Sequence, residues 1–105
     1  MEKLFYSISE VADILDEPVS TVRFWTNSFP KLLSPKRTAK GNRQYKEEEI
    51  DILKQIKYLL KTEGLTLEGA GNRLQADKSG VDRQVKALES LKAIREQLVE
   101  IKNSL

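Results

Sequence analysis

The C-terminal quarter of the chain carries an apolar repeat that a short domain cannot bury by itself. From residue 81 to residue 105, apolar side chains recur at steps of 4, 3, 3, 3, 4, 3 and 4 residues. The mean, about 3.4 residues, is close to the 3.5 of a coiled coil, although the consecutive threes form a local stammer. Such a helix is about 37 Å long, and the rest of the chain can cover only part of its stripe. The repeat therefore predicts pairing with a partner helix through Val81, Val85, Leu88, Leu91, Ile94, Leu98, Ile101 and Leu105.

The composition limits the kind of protein that this chain can be. With 105 residues, 39% hydrophobic and 32% charged, it fits one small helix-rich domain with an extension. No apolar run is long enough to span a membrane, and the N-terminus has no secretory pattern, so we expect a cytoplasmic protein without a membrane partner.

The residue types argue against catalysis. The chain has no Cys and no His, which removes the usual nucleophile, general base and metal ligands. Glu47, Glu48 and Glu49 are adjacent, but neighbouring helical residues point about 100° apart and do not converge on a metal. We therefore expect no enzyme activity, no cofactor and no metal site. The net charge is only +2, so cations must be clustered if a polyanion is the partner.

The N-terminal third predicts two short helices separated by a tight break. In "SISEVADIL", Ser7 and Glu10 have the spacing of a capping box, and an apolar face follows. Pro18 suits the first turn of the next helix, for which Asp16 or Glu17 supplies either a capping oxygen or a favourable charge. This arrangement is typical of a helix-turn-helix, in which early residues of the second helix face the DNA major groove. Arg in "STVRFW" can bond guanine, whereas the two aromatic residues there are either core or an aromatic surface against the DNA backbone.

A basic strip, "PKRTAKGNRQY", follows the second helix. The "GN" pair predicts a hairpin turn between short strands at about 36–39 and 43–45. Its four cations, Lys36, Arg37, Lys40 and Arg43, form either a wing that contacts phosphates or an ordinary solvated loop.

Two more helices are predicted before the apolar repeat. Gly64 is expected to end the first of them, and Thr66 to cap the second. Gly69 and Gly71 weaken that second helix unless it packs closely against another element. The segment "DKSG" then separates it from the apolar repeat.

Four motifs, in order and at matching spacing over about residues 6–74, resemble the DNA-binding domain of the MerR family of bacterial transcription regulators. They lie at Tyr6–Ala12, Thr21–Trp25, Gly41–Tyr45 and Gly64–Leu67. The resemblance implies a mostly α fold: a winged helix-turn-helix DNA-binding domain (residues 1–76) with a small β-hairpin wing, and a long C-terminal coiled-coil helix (residues 81–105) that pairs antiparallel in a dimer. The residues predicted to contact DNA are Ser20, Thr21, Arg23, Phe24, Trp25, Lys36, Arg37, Lys40, Asn42, Arg43 and Tyr45.

The resemblance implies a homodimeric, sequence-specific regulator that binds double-stranded DNA at a pseudo-palindromic promoter site and helps RNA polymerase to engage it. The chain departs from the family pattern at Thr26, where the family often has Glu, and it lacks the Cys of metal-sensing members. It is then either a minimal regulator or part of a longer protein. Two alternatives stay open: a protein-interaction module of the co-chaperone modulator type, and an excisionase-like architectural DNA-binding factor.

Overall fold

Helices dominate the computed structural model, which describes the backbone of residues 4–104 and the side chains of residues 4–97. Its elements are, in chain order, α1 (Ile8–Leu15), α2 (Val19–Ser28), β1 (Lys36–Arg37), β2 (Arg43–Gln44), α3 (Glu47–Lys57), a π-helical turn (Tyr58–Thr62) and α4 (Leu67–Ser104). The two strands form one antiparallel hairpin. The predicted fold class, a mostly α winged helix-turn-helix with a long C-terminal helix, is confirmed. Over the described part of the chain, no helix has the length and hydropathy that crossing a membrane requires.

Helix α1 begins as the sequence predicts but ends differently. The Oγ of Ser7 accepts from the Glu10 amide at 3.2 Å, and a Glu10 oxygen accepts from the Ser7 amide at 3.1 Å. Asp16 takes a left-handed conformation, with φ of 54°, and ends α1. The expectation that Asp16 or Glu17 caps α2 is therefore wrong: Pro18 is the N-cap residue, with no side-chain cap.

Glu17 lies in the break between α1 and α2 and forms ion pairs with α3 and with the π-helical turn. Its Oε1 lies 2.5 Å from the Nζ of Lys61 and 3.7 Å from the Nζ of Lys57. The Lys57 ammonium also donates to the carbonyl of Leu15 at 2.5 Å, where the end of a helix attracts a cation. This network fixes the helix-turn-helix unit on α3.

The hydrophobic core lies where α1, α2, α3 and the part of α4 up to Val85 meet. Large side chains from every one of these helices are buried there, because each helix is apolar on one face only. The core residues are Val11, Ala12, Leu15, Val22, Trp25, Phe29, Leu33, Tyr45, Ile50, Leu53, Ile56, Leu59, Ala70, Leu74, Val81 and Val85.

The turn between α3 and α4 follows the sequence signals closely. Gly64 adopts φ of +71°, and the Leu65 amide bonds the carbonyl of Leu59 at 2.9 Å, so the helix ends at this glycine. Thr66 caps α4 through its Oγ1, which accepts from the Gly69 amide at 3.0 Å. A Cβ on Gly71 would lie 3.3 Å from the ring of Phe29, so this glycine lets the loop after α2 approach α4 closely.

Helix α4 is kinked at Asp77, whose φ and ψ of −149° and 61° are not helical. An Asp77 oxygen accepts from the Gly80 amide at 3.1 Å and so caps the second half of the helix. The predicted division between residues 76 and 81 stays a prediction.

Two positions of the predicted pairing stripe belong to the protomer's own core. Val81 and Val85 are buried against the preceding helices, so their assignment to a partner contact is corrected. Farther along, Leu88 is half-buried, and Leu91 and Ile94 are 64% and 52% exposed. The predicted positions Leu98, Ile101 and Leu105 lie outside the described side chains. The radius of gyration is 15.5 Å, against about 13 Å for a compact chain of this size, because α4 projects from the body.

Candidate nucleic-acid interface

Helix α2 has one buried face and one solvent face. Val22, Trp25 and Thr26 are buried, while the opposite face exposes Ser20, Arg23, Phe24 and Asn27. Trp25 therefore fills the core and is not a DNA contact, which corrects its place among the predicted site residues. The ring of Phe24 remains on the outside with 54% of its surface exposed.

The wing is a minimal hairpin beside α2. Arg37 pairs with Arg43, and Lys36 with Gln44, across the two strands. The turn closes through a bond from the Thr38 amide to the Asn42 carbonyl at 2.7 Å. Gly41 takes φ of +86°, which only glycine adopts without strain.

Two side-chain hydrogen bonds fasten the wing to α2. The hydroxyls of Thr26 and Tyr45 lie 2.9 Å apart, and the Nη2 of Arg43 donates to the side-chain Oδ1 of Asn27 at 2.5 Å. Tyr45 also pairs with Tyr6 through two backbone bonds of 2.8 Å, which joins the end of the wing to the residue before the α1 cap. Tyr45 is fully buried. It therefore holds the wing from within the core, and its predicted DNA contact is corrected.

A cationic cleft of about 480 Å³ opens where the N-terminus of α1, the exposed face of α2 and the wing meet. We call it the arginine cleft. Three arginines line it, Arg23, Arg37 and Arg43, and no carboxylate among the described residues does. The remaining lining residues are Ser7, Ile8, Ser9, Gly41 and Asn42.

The structure brings four of the predicted site residues together in one cleft and leaves the other unburied ones on the face of α2 and on the wing. Arg23, Arg37, Asn42 and Arg43 meet in the arginine cleft. Ser20 and Phe24 occupy the exposed face of α2, Thr21 is half-buried on its edge, and Lys36 and Lys40 are exposed on the wing.

Sequence reasoning missed two groups of residues at this site. Ser7, Ile8 and Ser9 reach the cleft because the bridge between Tyr6 and Tyr45 brings the start of α1 next to the wing. Asn27 and Thr26 hold the wing, and the only signal in the sequence was the departure of Thr26 from the family pattern. Both groups depend on contacts between segments that are far apart in the chain.

Comparison with known proteins gives one consistent family. A model of the MerR HTH family of regulatory proteins matches residues 6–77. The regulator protein TubY of a Clostridium botulinum C phage is 33% identical over 98 residues, which make up 93% of this chain and 41% of that protein. The HTH-type transcriptional repressor CarH of Myxococcus xanthus is 29% identical over 85 residues, or 81% of this chain and 28% of that protein. The chain thus spans less than half the length of these two curated relatives.

Solved structures show the same similarity. A MerR-family transcriptional regulator from Bacillus cereus superposes with a TM-score of 0.60 and 25% identity, covering 95% of this chain and 76% of that one. A second, from Bacillus thuringiensis, has a TM-score of 0.54 at 20% identity, covers 96% of both chains, and shows the shared fold. With the family match extending over more than half of its length, the chain belongs to the MerR HTH family of regulatory proteins.

Proposed function

We propose that this chain is a homodimeric, sequence-specific DNA-binding transcription regulator. One observation carries the proposal: the exposed face of α2 and the arginine cleft lie side by side, and in the described part of the chain no carboxylate lines the cleft. A duplex offers base edges in its major groove and phosphates along the rim of that groove. The two neighbouring surfaces match these two features.

In this proposal, α2 enters the major groove and the wing follows the backbone. Ser20 and Phe24 face the base edges, where a hydroxyl and an apolar ring can both discriminate between bases. Lys36 and Lys40, exposed on the wing, interact with phosphates as point charges. Base contacts would give specificity, while these charges would add affinity for any duplex.

The proposed dimer uses the exposed part of the α4 stripe. Leu91 and Ile94 are apolar and mostly exposed, and Leu88 lines a groove together with Ile14 at the end of α1. Burying these side chains against a second copy would give a two-fold pair. Two α2 helices would then reach successive major grooves of a pseudo-palindromic site.

The regulatory part of the proposal follows from the family. The relatives are named as a regulator protein and a transcriptional repressor. We place this chain, by analogy, at a promoter in the cytoplasm, where binding would alter how RNA polymerase engages the DNA.

Selection of duplexes from a random pool tests the proposal directly. The chain should enrich a site with two related halves, protect it in footprinting, and bind it more weakly as salt is raised. Lys40→Ala should weaken specific and non-specific binding alike and reduce the salt slope by about 1. Lys78→Ala, on an exposed part of α4 outside both the arginine cleft and the proposed dimer stripe, is the matched control and should leave binding unchanged.

Failure to retain any duplex at low salt would contradict the proposal and favour the protein-interaction alternative. An enriched site that lies outside promoters, and that the chain bends, would favour the architectural one. A monomer at micromolar concentration in sedimentation would contradict the homodimer.

A further inference from the structure

We propose that Asn27 reads one base in the major groove, and that Arg43 of the wing restricts it to hydrogen-bond acceptors, so that it selects guanine. The inference rests on the proposed function and deepens it, because it names a specificity-determining residue and the base that this residue selects. Asn27 is not among the residues that the sequence predicts to contact DNA. Its bond to the wing uses only the oxygen of its side-chain amide.

The first argument is the position of Asn27 on α2. Successive residues of a helix are turned by about 100°, so Asn27 comes within about 20° of Ser20 around the helix axis. Arg23 and Phe24 flank it on either side by the same geometry. All four residues are exposed. Asn27 therefore lies in the middle of the solvent face that the proposed function places in the major groove.

The second argument is the contact that orients the Asn27 amide. The Nη2 of Arg43 donates to the Oδ1 of Asn27 at 2.5 Å. A guanidinium group carries donors only, so the amide atom that faces it must be the oxygen, and the amide cannot be turned over. The amide nitrogen, Nδ2, has no acceptor among the described residues. Its two N–H groups are therefore available to a bound duplex.

The wing holds Arg43 in place for this contact. The backbone of Arg43 lies in β2 and pairs with Arg37 across the hairpin, and the residue is half-buried. The bond between the hydroxyls of Thr26 and Tyr45 ties the end of the wing to the adjacent position of α2. The orientation of the Asn27 amide is thus set before DNA binds, which lowers the cost of ordering this side chain in the complex.

An asparagine that can only donate reads the major groove differently from a free one. A free asparagine selects adenine, because its oxygen accepts from the N6 amino group while its nitrogen donates to N7. With Oδ1 already bonded to Arg43, Asn27 loses the first of these contacts. Guanine presents two neighbouring acceptors, O6 and N7, whereas adenine places a donor beside its N7 and cytosine presents an amino donor. Guanine is therefore the base that the oriented amide fits.

Variants of the two partners separate base reading from support of the wing. Asn27→Asp keeps an oxygen for Arg43 but replaces the amide donors by an acceptor, so selection from a random pool should replace guanine by cytosine at one position per half-site. Arg43→Met leaves the Asn27 amide free to turn, and the preference for guanine over adenine at that position should fall by about three- to tenfold. If Asn27 only supports the wing, Asn27→Asp will select the same sequence as the unmodified chain, and this result would overturn the proposal.

Modified bases test the same contact without changing the protein. The probe is the duplex selected by the unmodified chain, with one guanine per half-site replaced by 7-deazaguanine, which lacks the N7 acceptor, or by hypoxanthine, which lacks only the minor-groove amino group. At one position, 7-deazaguanine should weaken binding by about three- to tenfold and hypoxanthine should change it little. The loss at that position should disappear in Asn27→Ala.

The possible outcomes distinguish this proposal from the proposed function. Half-sites without guanine, or 7-deazaguanine losses that all persist in Asn27→Ala, would overturn the role of Asn27 while duplex binding, and so the proposed function, still stands. If the unmodified chain selects no duplex, the proposed function fails first, and the role of Asn27 fails with it.

Discussion

Phe24 holds an apolar ring on the exposed face of α2, between the hydroxyl of Ser20 and the amide of Asn27. More than half of its surface meets solvent, whereas the next residue, Trp25, is buried in the core. In the major groove, the C5-methyl group of thymine is the apolar feature that a ring can contact. Phe24 is therefore the residue from which we expect a preference for thymine.

Deoxyuridine provides the test, because it removes that methyl group and leaves base pairing intact. Replacing one thymine in each half-site should weaken the unmodified chain by about 1 kcal/mol or more, whereas Phe24→Ala should bind both duplexes equally. Ile14→Ala removes an exposed apolar side chain from the proposed dimer groove and not from the face of α2, so it should keep the full thymine preference even where overall affinity falls. The same thymine preference in Phe24→Ala would refute the assignment.

The hydrogen bond between Thr26 and Tyr45 has a direction that the structure fixes. The Thr26 hydroxyl donates to the Val22 carbonyl at 2.7 Å, so its oxygen accepts and Tyr45 donates in the 2.9 Å contact. Thr26→Val would leave the buried Tyr45 hydroxyl without an acceptor, at a cost of about 1–3 kcal/mol, while Tyr45→Phe removes that donor and should cost about 1 kcal/mol. Urea unfolding should rank the two variants in that order, and the reverse order would mean that the donor is assigned wrongly.

At the scale of elements, the ends of helices are where sequence reasoning succeeded. The cap at Ser7, the left-handed Gly64 and the cap at Thr66 all depend on residues within a few positions of one another. The reasoning failed at Asp16, which takes the left-handed position at the end of α1, with the Glu17 amide bonded to the Ala12 carbonyl at 3.0 Å, although glycine is the residue that this position favours. Trp25 and Tyr45 were counted among the DNA contacts, with core packing left open for Trp25, because only the packing of distant segments decides their burial.

Helix α3 and the second half of α4 are joined by a polar contact inside an apolar interface. Gln55 is buried, and its Nε2 donates to an Asp82 oxygen at 3.1 Å, while the other Asp82 oxygen lies 2.9 Å from the Nζ of Lys86. The Gln55 carbonyl oxygen has no partner among the described residues. The side chain therefore depends on Asp82 for its one hydrogen bond.

Variants at Asp82 should separate the two contacts. Asp82→Ala leaves the Gln55 amide without an acceptor and should lower the free energy of unfolding by about 1–3 kcal/mol, whereas Asp82→Asn keeps an acceptor and should cost little.

The hydrogen bond from Lys86, followed by that from Gln55, holds the pKa of Asp82 below its ordinary 3.8. The carboxylate thus stabilises the fold above about pH 4, and this contribution disappears as the pH falls through the lowered pKa. Denaturant midpoints of the unmodified chain and Asp82→Asn should converge in acid; a gap that widens there would contradict the pairing.

For the whole molecule, α4 packs against the protomer's own core along part of its length and exposes an apolar surface farther along. Its second half begins with Val81 and Val85 in the protomer's own core, and continues with the exposed Leu91 and Ile94. A regular apolar repeat cannot show where packing in the core ends and the exposed apolar surface begins, because both use the same residue types at the same spacing. This is why the sequence predicted the helix and its stripe but not the residue at which the stripe leaves the body.

Substitutions on either side of that point should have different effects. Leu91→Glu combined with Ile94→Glu should produce a monomer with nearly unchanged unfolding per protomer, since both side chains are exposed in one chain. Val81→Ala should lower stability by about 2 kcal/mol through lost burial. Sedimentation and urea titration would distinguish them; a dimer that survives the double substitution would rule out pairing through these positions.

The arginine cleft also governs how the free protein responds to its ionic surroundings. Folding pairs Arg37 with Arg43 across the hairpin and brings Arg23 next to them, so their mutual repulsion is stronger than in the unfolded chain. Between about 50 mM and about 500 mM salt, screening should raise the melting temperature of the free protein while it weakens the complex with DNA. Arg37→Gln should flatten both trends. The protein would then be most stable by itself under the conditions in which it releases its duplex, and least stable where it binds most tightly.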